Sequence, residues 1–476
     1  MRMLTRVLLI LLLAVAACAV NPVTGERELA LISEGQEIEM GRQYADQIEQ
    51  QIGLVEDTAL QAYVEAIGLE MARSSERPDL PWRFGVLDDP TPNAFALPGG
   101  FIYVTRGLTA LMGSEAQLAS VLGHEIGHVT ARHSVSQMSR AQLAQLGMGI
   151  GMVLLPEDLE QYGGLASTGL SVLFLKYGRD DERQSDQLGF RYALDAGYDV
   201  REMADVFQSL ERASELAGAG SLPTWLSTHP SPPDRVEAVG ERVETLSRSL
   251  DGLRVAREDY LRQIDGMAYG HDPREGYFVD GATFIHPELE FAMDFPGDWQ
   301  QQNLADQVVA ASPEGDGAIQ LTLADASPAE AARTFAAQEG ITATEPESGS
   351  IDGFPTVAVE FTAEGEKPVR GVATFLADSD RTFRLLAYSA ASAYDRYAPT
   401  FRSWTNSYRR VTDPALLDVE PDRIAIVELP SASTLEDFEA VYPSVVGIEE
   451  LALLNQVDGP ASRLEAARLV KRVVNR

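Results

Sequence analysis

Up to about residue 264 the apolar positions recur with the period of a helix face, and beyond it they mostly alternate as in strands. Ser33-Glu34-Gly35-Gln36 has the spacing of a capping box and opens a helical pattern to about Gln51. A second helical pattern covers about Thr58 to Arg73. Trp82–Leu87 and Phe101–Thr105 are predicted as short strands, with Pro98-Gly99-Gly100 as a turn between the Asn93–Ala96 segment and the second strand. Ser114 and Gln117 form another capping-box pair, opening a helix expected to run through His133 with Leu118, Val121 and Leu122 as its apolar stripe. Met148–Leu155 is apolar, Gly-rich and too short to span a bilayer, so it is expected as a buried helix or an active-site cover. A polar helix carrying Glu182 and Asp186 follows Tyr177.

From about Ile264 to His286 the texture turns to Gly, Asp and Pro, which predicts a linker over 266–285. Alternating runs at Phe291–Phe295, Ala318–Leu323, Val357–Thr362, Val369–Phe375 and Phe383–Tyr388 predict half-buried antiparallel strands. With helical patterns near Ala329–Gln338 and Tyr394–Tyr408, they make a small α+β domain over 286–412. A third, short unit is expected over 420–476, and no repeat of helical-hairpin length is present. The fold class expected is α+β: a mainly helical domain with a small β-sheet over 18–265, followed by the two smaller units.

Composition narrows the function classes. With 45% apolar and 23% charged residues among 476, the chain has ordinary globular composition, which excludes wholesale disorder. Its 38 Lys and Arg against 72 Asp and Glu give a net charge of -34, so phosphate backbones are repelled and nucleic acid is not a partner. Anionic lipid headgroups are repelled too, and membrane attachment would need another device. The single cysteine excludes an intrachain disulfide and a multi-cysteine metal site.

That cysteine has a distinctive setting. Two arginines in Met1–Arg6, an apolar run from Val7 to Ala17 and small residues before Cys18 are the parts of a secretory signal, placing a leader over 1–17. Val15-Ala16-Ala17-Cys18 resembles the lipobox of bacterial lipoproteins, which are cut before the cysteine and lipidated on it. The resemblance implies lipidation of Cys18, and Ala19 in place of Asp implies the outer membrane, with the mature protein in the periplasm.

The chemistry concentrates in His124-Glu125-Ile126-Gly127-His128, an HExxH pattern. On a helix, positions i and i+4 share a face, so both imidazoles reach one metal ion, with Glu125 beside them to move a proton. Zinc in a catalytic site takes three protein ligands and keeps one position open. Glu182 is the candidate for the third, and Asp186, four residues on, is placed to accept the spare ring N–H of a ligating histidine. Composition alone favours a solvated face for this acidic helix. His133 lies about 140° round the helix from His128 and is expected to face away from the metal. His271 and His286 sit in or beside the linker without evident partners.

Taken together, Asn21-Pro22-Val23-Thr24-Gly25, the Asn93–Gly100 segment, the HEIGH motif, the Glu182-x-x-x-Asp186 pair and Thr228-His229-Pro230 are similar to the gluzincin metallopeptidases of the CAAX prenyl protease, HtpX and BepA family. The resemblance covers about Asn21 to Ile264 and implies a zincin fold with one Zn²⁺, held by His124, His128 and Glu182, with Asp186 behind them. Ser185 departs from the alanine usual in the family. His229 would either take the open metal position and hold the enzyme latent, as in the BepA-like branch, or stabilise an oxyanion as catalysis proceeds. Arg235 would anchor the loop or polarise substrate. Asn93, Ala94, Phe95 and Ala96 are expected to form an edge strand that pairs with extended substrate, and Glu125 to act as general base and then acid.

Residues 423–474 resemble a degenerate LysM module, a βααβ glycan-binding unit, through Ile424–Val427, Thr434-Leu435, Leu451-x-x-Leu454-Asn455 and Leu464–Lys471. Ala432-Ser433 and Ala466-Ala467 replace residues that such modules usually keep, which favours shared fold over affinity for peptidoglycan. The function expected is a zinc endopeptidase acting on misfolded or misassembled envelope proteins. The alternatives are a largely latent protease serving as chaperone or assembly factor, and a cell-wall-binding lipoprotein. BepA-like proteins carry a helical repeat array for assembly work, and none is found in this sequence.

Overall fold

The computed structural model describes residues 18–29, 31–148, 177–217, 224–229, 235–304, 307–365 and 368–475. The leader expected over 1–17 and the apolar stretch beyond Met148 lie outside them. The chain forms two compact units, Met1–His271 with Asp422–Arg476, and Asp272–Pro421.

The first unit begins with a hairpin of β1 (Cys18–Val20) and β2 (Arg27–Leu29). Asn21 fastens it: its side-chain oxygen accepts from the Val23 amide at 2.8 Å and its amide donates to the Ala131 carbonyl at 3.1 Å. Helix α1 (Glu34–Gln51) carries the capping box expected of Ser33 and Gln36, and α2 (Thr58–Ala72) is capped by Asp57. Next come β3 (Arg83–Leu87), β4 (Ala94–Leu97) and β5 (Phe101–Thr105), in the order β3-β5-β4, with β3 parallel and β4 antiparallel to β5. Helix α3 (Arg106–Leu111) leads to α4 (Glu115–Thr130), whose N-cap Ser114 accepts from the Gln117 amide.

Helix α4 does not run through His133. It ends at Thr130, Arg132 takes a left-handed φ of 58°, and a new helix, α5 (His133–Met148), starts at once. The break is held from outside: the Arg132 guanidinium donates to Glu37 on α1 and to the Ile32 carbonyl, both at 3.0 Å. Glu37, itself buried, also accepts from the buried Arg77 at 2.7 Å. Charges this deep are stable only as a hydrogen-bonded cluster, which locks the chain reversal.

Helix α6 (Arg179–Asp195) packs directly on α4. The approach is possible because the facing residues are small. A Cβ at Gly189 would lie 2.6 Å from the His124 amide nitrogen, and one at Gly127 would lie 3.0 Å from Ser185 Cα. Backbone-to-backbone packing of this kind leaves the longer side chains of both helices to converge at its edge. Helices α7 (Glu202–Ala217), α8 (Thr224–Thr228), α9 (Arg235–Thr245) and α10 (Arg257–Gln263) complete the helical part.

The second unit, Asp272–Pro421, contains an eight-stranded antiparallel sheet and a four-stranded one. Helices Pro328–Ala336 and Tyr394–Thr405 accompany them, around a core that includes Phe284, Phe291, Phe401 and Trp404. The linker expected over 266–285 is corrected, because Tyr277–Val279 and Thr283–His286 are paired strands of the smaller sheet. His286 is not without partners either: its ring accepts from the Leu289 amide at 3.3 Å and lies against Phe291.

The separate third unit expected over 420–476 is also corrected. Strands Arg423–Glu428 and Leu469–Val474 pair antiparallel, with helices Leu435–Val441 and Ile448–Leu454 between them. Ile424, Leu453, Leu454, Leu469 and Val473 belong to the same hydrophobic core as Leu118 and Leu122 of α4. Lys471 is buried and donates to the Ala110 and Met112 carbonyls, at 2.6 and 2.5 Å, at the C-terminal end of α3. Its amino group satisfies carbonyls left open at the helix end, while burial holds its pKa well below the usual lysine range. Gln456 exchanges amide hydrogen bonds with Gln117, in the first turn of α4.

Candidate metal centre

His124, Glu125 and His128 lie on the last two turns of α4, which is buried along its whole length. Glu182 comes from the first turn of α6, and His229 directly follows α8, with its amide donating to the Trp225 carbonyl at 2.8 Å. One ligand atom from each of His124, His128, Glu182 and His229 falls within 4.8 Å of every other, and all four residues are buried.

The separations are specific. His124 Nε2 lies 3.0 Å from His128 Nε2 and 3.2 Å from His229 Nδ1. Glu182 Oε1 lies 3.0 Å from His229 Nδ1 and 3.4 Å from His128 Nε2. A tetrahedral ion with N and O ligands at about 2.0–2.1 Å has donor-to-donor edges of about 3.3 Å. The four residues therefore fit a divalent metal. Their chemistry agrees, since three convergent imidazole nitrogens and a carboxylate offer far more lone pairs than protons.

Electrostatics follow from burial and pairing. Burial pushes the Glu182 pKa up, but the His229 charge and hydrogen bonds from His128 and His229 outweigh it and hold the carboxylate well below its usual range. Burial pushes His229 down, and the carboxylates of Glu182 and Glu125 prevail and raise it. His128 is driven well below its ordinary value, chiefly by burial, and so is neutral and able to donate a lone pair.

Both α4 histidines are gripped from behind. Asp186 Oδ1 accepts from His124 Nδ1 at 2.9 Å, which leaves Nε2 free to ligate. Asp186 is in turn paired with Arg235, whose Nε donates to Oδ2 at 2.9 Å and whose guanidinium lies 4.0 Å over the Phe207 ring. Burial would raise the Asp186 pKa, but Arg235 and His124 hold it low. Arg235 thus holds Asp186 in place behind His124.

His133 does not face away. Its Nδ1 lies 3.0 Å from His128 Nδ1, and its Nε2 lies 2.9 Å from Gln184 Oε1. The helical extrapolation failed because Arg132 breaks the helix between the two histidines. Tyr177 stacks on His128 with centroids 3.9 Å apart, and Trp225 stacks on His229 at 4.9 Å. Neither aromatic carried a motif signal, because each belongs to the site only through packing.

Glu125 is fully buried, and neither carboxylate oxygen has a hydrogen-bond partner among the described residues; His229 Nε2 lies 3.6 Å from Oε1, at ion-pair distance. A buried carboxylate without hydrogen bonds is costly, as expected of a group kept for proton transfer. Ala94–Leu97 forms the β4 edge of the sheet, while Asn93 precedes it with a buried side-chain oxygen that has no partner among the described residues. Cys18 opens β1. Pro230 and Asp234 lie outside the described residues.

Comparison with known proteins adds to this geometry. A family model described as "Peptidase family M48" matches residues 58–243, a span holding all four clustered residues and Glu125. Residues 58–243 are thus similar to peptidase family M48. The matched span lies within the first compact unit. The chain is 31% identical over 215 residues to the putative beta-barrel assembly-enhancing protease of Vibrio cholerae, covering 44% of each protein. It is 29% identical over 262 residues to the beta-barrel assembly-enhancing protease of Yersinia pestis, covering 53% of this chain and 52% of that one. It is 30% identical over 223 residues to metalloendopeptidase OMA1, mitochondrial, of Bos taurus, covering 44% of this chain and 40% of that one. The chain spans about half the length, or less, of these relatives.

Proposed function

We propose that this protein is a zinc-dependent endopeptidase that hydrolyses misfolded or misassembled proteins of the bacterial envelope. The observation that carries the proposal is the four-residue ligand cluster with buried Glu125, which has no hydrogen-bond partner among the described residues, beside it in a span similar to peptidase family M48. Zinc held by His124, His128 and Glu182 would supply Lewis acidity toward water and the scissile carbonyl. Glu125 would take the proton from the attacking water and return it to the leaving amine. Asp186 would keep His124 in its ligating tautomer, and Ala94–Leu97 would align extended substrate by strand addition.

The substrate class rests on relatives named for enhancing β-barrel assembly. The location rests on the lipobox-like sequence before Cys18, which supports lipidation there and residence at the outer membrane, facing the periplasm. No helix among the described residues is long and apolar enough to cross a membrane. The paired strands flanking two helices in 423–474 support a LysM-like fold. Its burial of Leu453, Leu454 and Lys471 supports a structural role over peptidoglycan contact.

The test is metal analysis of the purified chain. Wild type is expected to hold one zinc per chain and to cleave casein, whereas Glu182→Ala should retain little zinc after dialysis and cleave none. Equal zinc in the two proteins would refute the assignment.

A second reading is favoured by one observation. His229 Nδ1 stands among the ligands while its Nε2 points toward Glu125. In that position it fills the space between the base and the metal site, which supports a largely latent protease acting in assembly. His229→Ala is then expected to raise basal casein cleavage. A collapse of activity would instead assign His229 to oxyanion stabilisation.

A further inference from the structure

We infer that His133 is the positioning residue for His128, acting through a two-bond relay that ends on Gln184. The inference rests on the metal-centre reading above. His128 can present Nε2 to a metal only if its ring proton sits on Nδ1. That proton then points at His133 Nδ1, 3.0 Å away, which must accept it. His133 therefore carries its own proton on Nε2, where Gln184 Oε1 accepts at 2.9 Å. Each bond has one donor and one acceptor, so the relay admits a single arrangement of tautomers in which His128 ligates. Ser185 Oγ, 3.3 Å from His133 Nδ1, and Asp181, 3.7 Å from Nε2, flank the relay without reversing it.

The relay gives α6 a wider role than supplying Glu182. Asp186 grips His124 directly, and Gln184 grips His128 through His133. One helix thus sets the ring orientation of both α4 ligands. The geometry depends on the left-handed Arg132, which turns the start of α5 back so that the His133 ring sits behind His128.

The experiment measures zinc binding by chelator competition on the full-length chain, together with ¹⁵N histidine spectra that report tautomers directly. Only six histidines need assigning. His133→Phe removes the acceptor and is expected to weaken zinc binding by about 10- to 100-fold and to scramble the His128 tautomer. Gln184→Glu keeps an acceptor and should stay within about twofold of wild type. A folded His133→Phe with wild-type affinity and an unchanged His128 tautomer overturns the inference. If that variant does not fold, Gln184→Met on the half-buried relay end decides: weakening of about three- to tenfold with altered His133 tautomers supports the relay, and no change overturns it. Wild-type protein that takes up no zinc would instead overturn the metal-centre reading, and this inference with it.

Discussion

Glu125→Gln is expected to lower peptide hydrolysis by about 10²- to 10⁴-fold while zinc content stays at the wild-type level. The two side chains have nearly the same shape, and Glu125 is outside the ligand cluster, so the substitution leaves the coordinating atoms where they are. What it removes is a carboxylate with neither oxygen hydrogen-bonded among the described residues, and with it the proton acceptor. The folded state should change little, because the amide removes a buried carboxylate without hydrogen bonds but also its 3.6 Å ion pair with His229. Thermal melting should therefore stay near the wild-type value while casein cleavage disappears. Loss of zinc together with activity would mean that Glu125 acts as a ligand, and the assignment of roles would have to be redrawn.

Gly189→Ala is expected to damage the site without touching any residue that performs chemistry. The added Cβ would stand 2.6 Å from the His124 amide nitrogen and 2.9 Å from the Gly123 carbonyl carbon. These are backbone atoms inside two packed helices and cannot rotate away, so α4 and α6 must separate. Overpacking of this kind costs about 1–3 kcal/mol. Separation also moves Glu182 away from His124 and His128, so zinc binding should weaken along with stability. Thermal melting and chelator competition on the same preparation test both effects. Gly240→Ala is the control: it lies in helix α9, its Cβ would meet nothing within 4 Å, and replacing a helical glycine there should be neutral or mildly stabilising. A Gly189→Ala protein indistinguishable from that control would show that the helix contact is not what sets the ligand geometry.

Much of the site was legible because its signals are local. The HExxH spacing is a statement about one helix face, and the Ser114 cap placed that helix independently of the histidines. Glu182 and Asp186 were legible as a pair through family resemblance, since an acidic helix on its own is more often a solvated face. His133 was misplaced for a definite reason. Its orientation depends on Glu37 and Ile32, about 100 residues earlier in the chain, which hold Arg132 in a conformation that ends the helix. A periodicity argument assumes an unbroken helix and contains no information about that contact.

The domain boundaries show the same limit. Composition separates the C-terminal segment from the helical domain, yet Ile424, Leu453 and Val473 complete the helical core, and Gln456 and Lys471 bond to the elements that lead into α4. Helix caps, strand alternation, the presence of a metal motif and the exclusion of nucleic acid follow from short-range spacing and net charge, which the linear chain carries in full. The placement of His229 among the ligands, the grip of one helix on two histidines and the docking of the C-terminal strands arise from contacts between distant residues. Their strength comes from burial and close packing, and those exist only once the chain has folded.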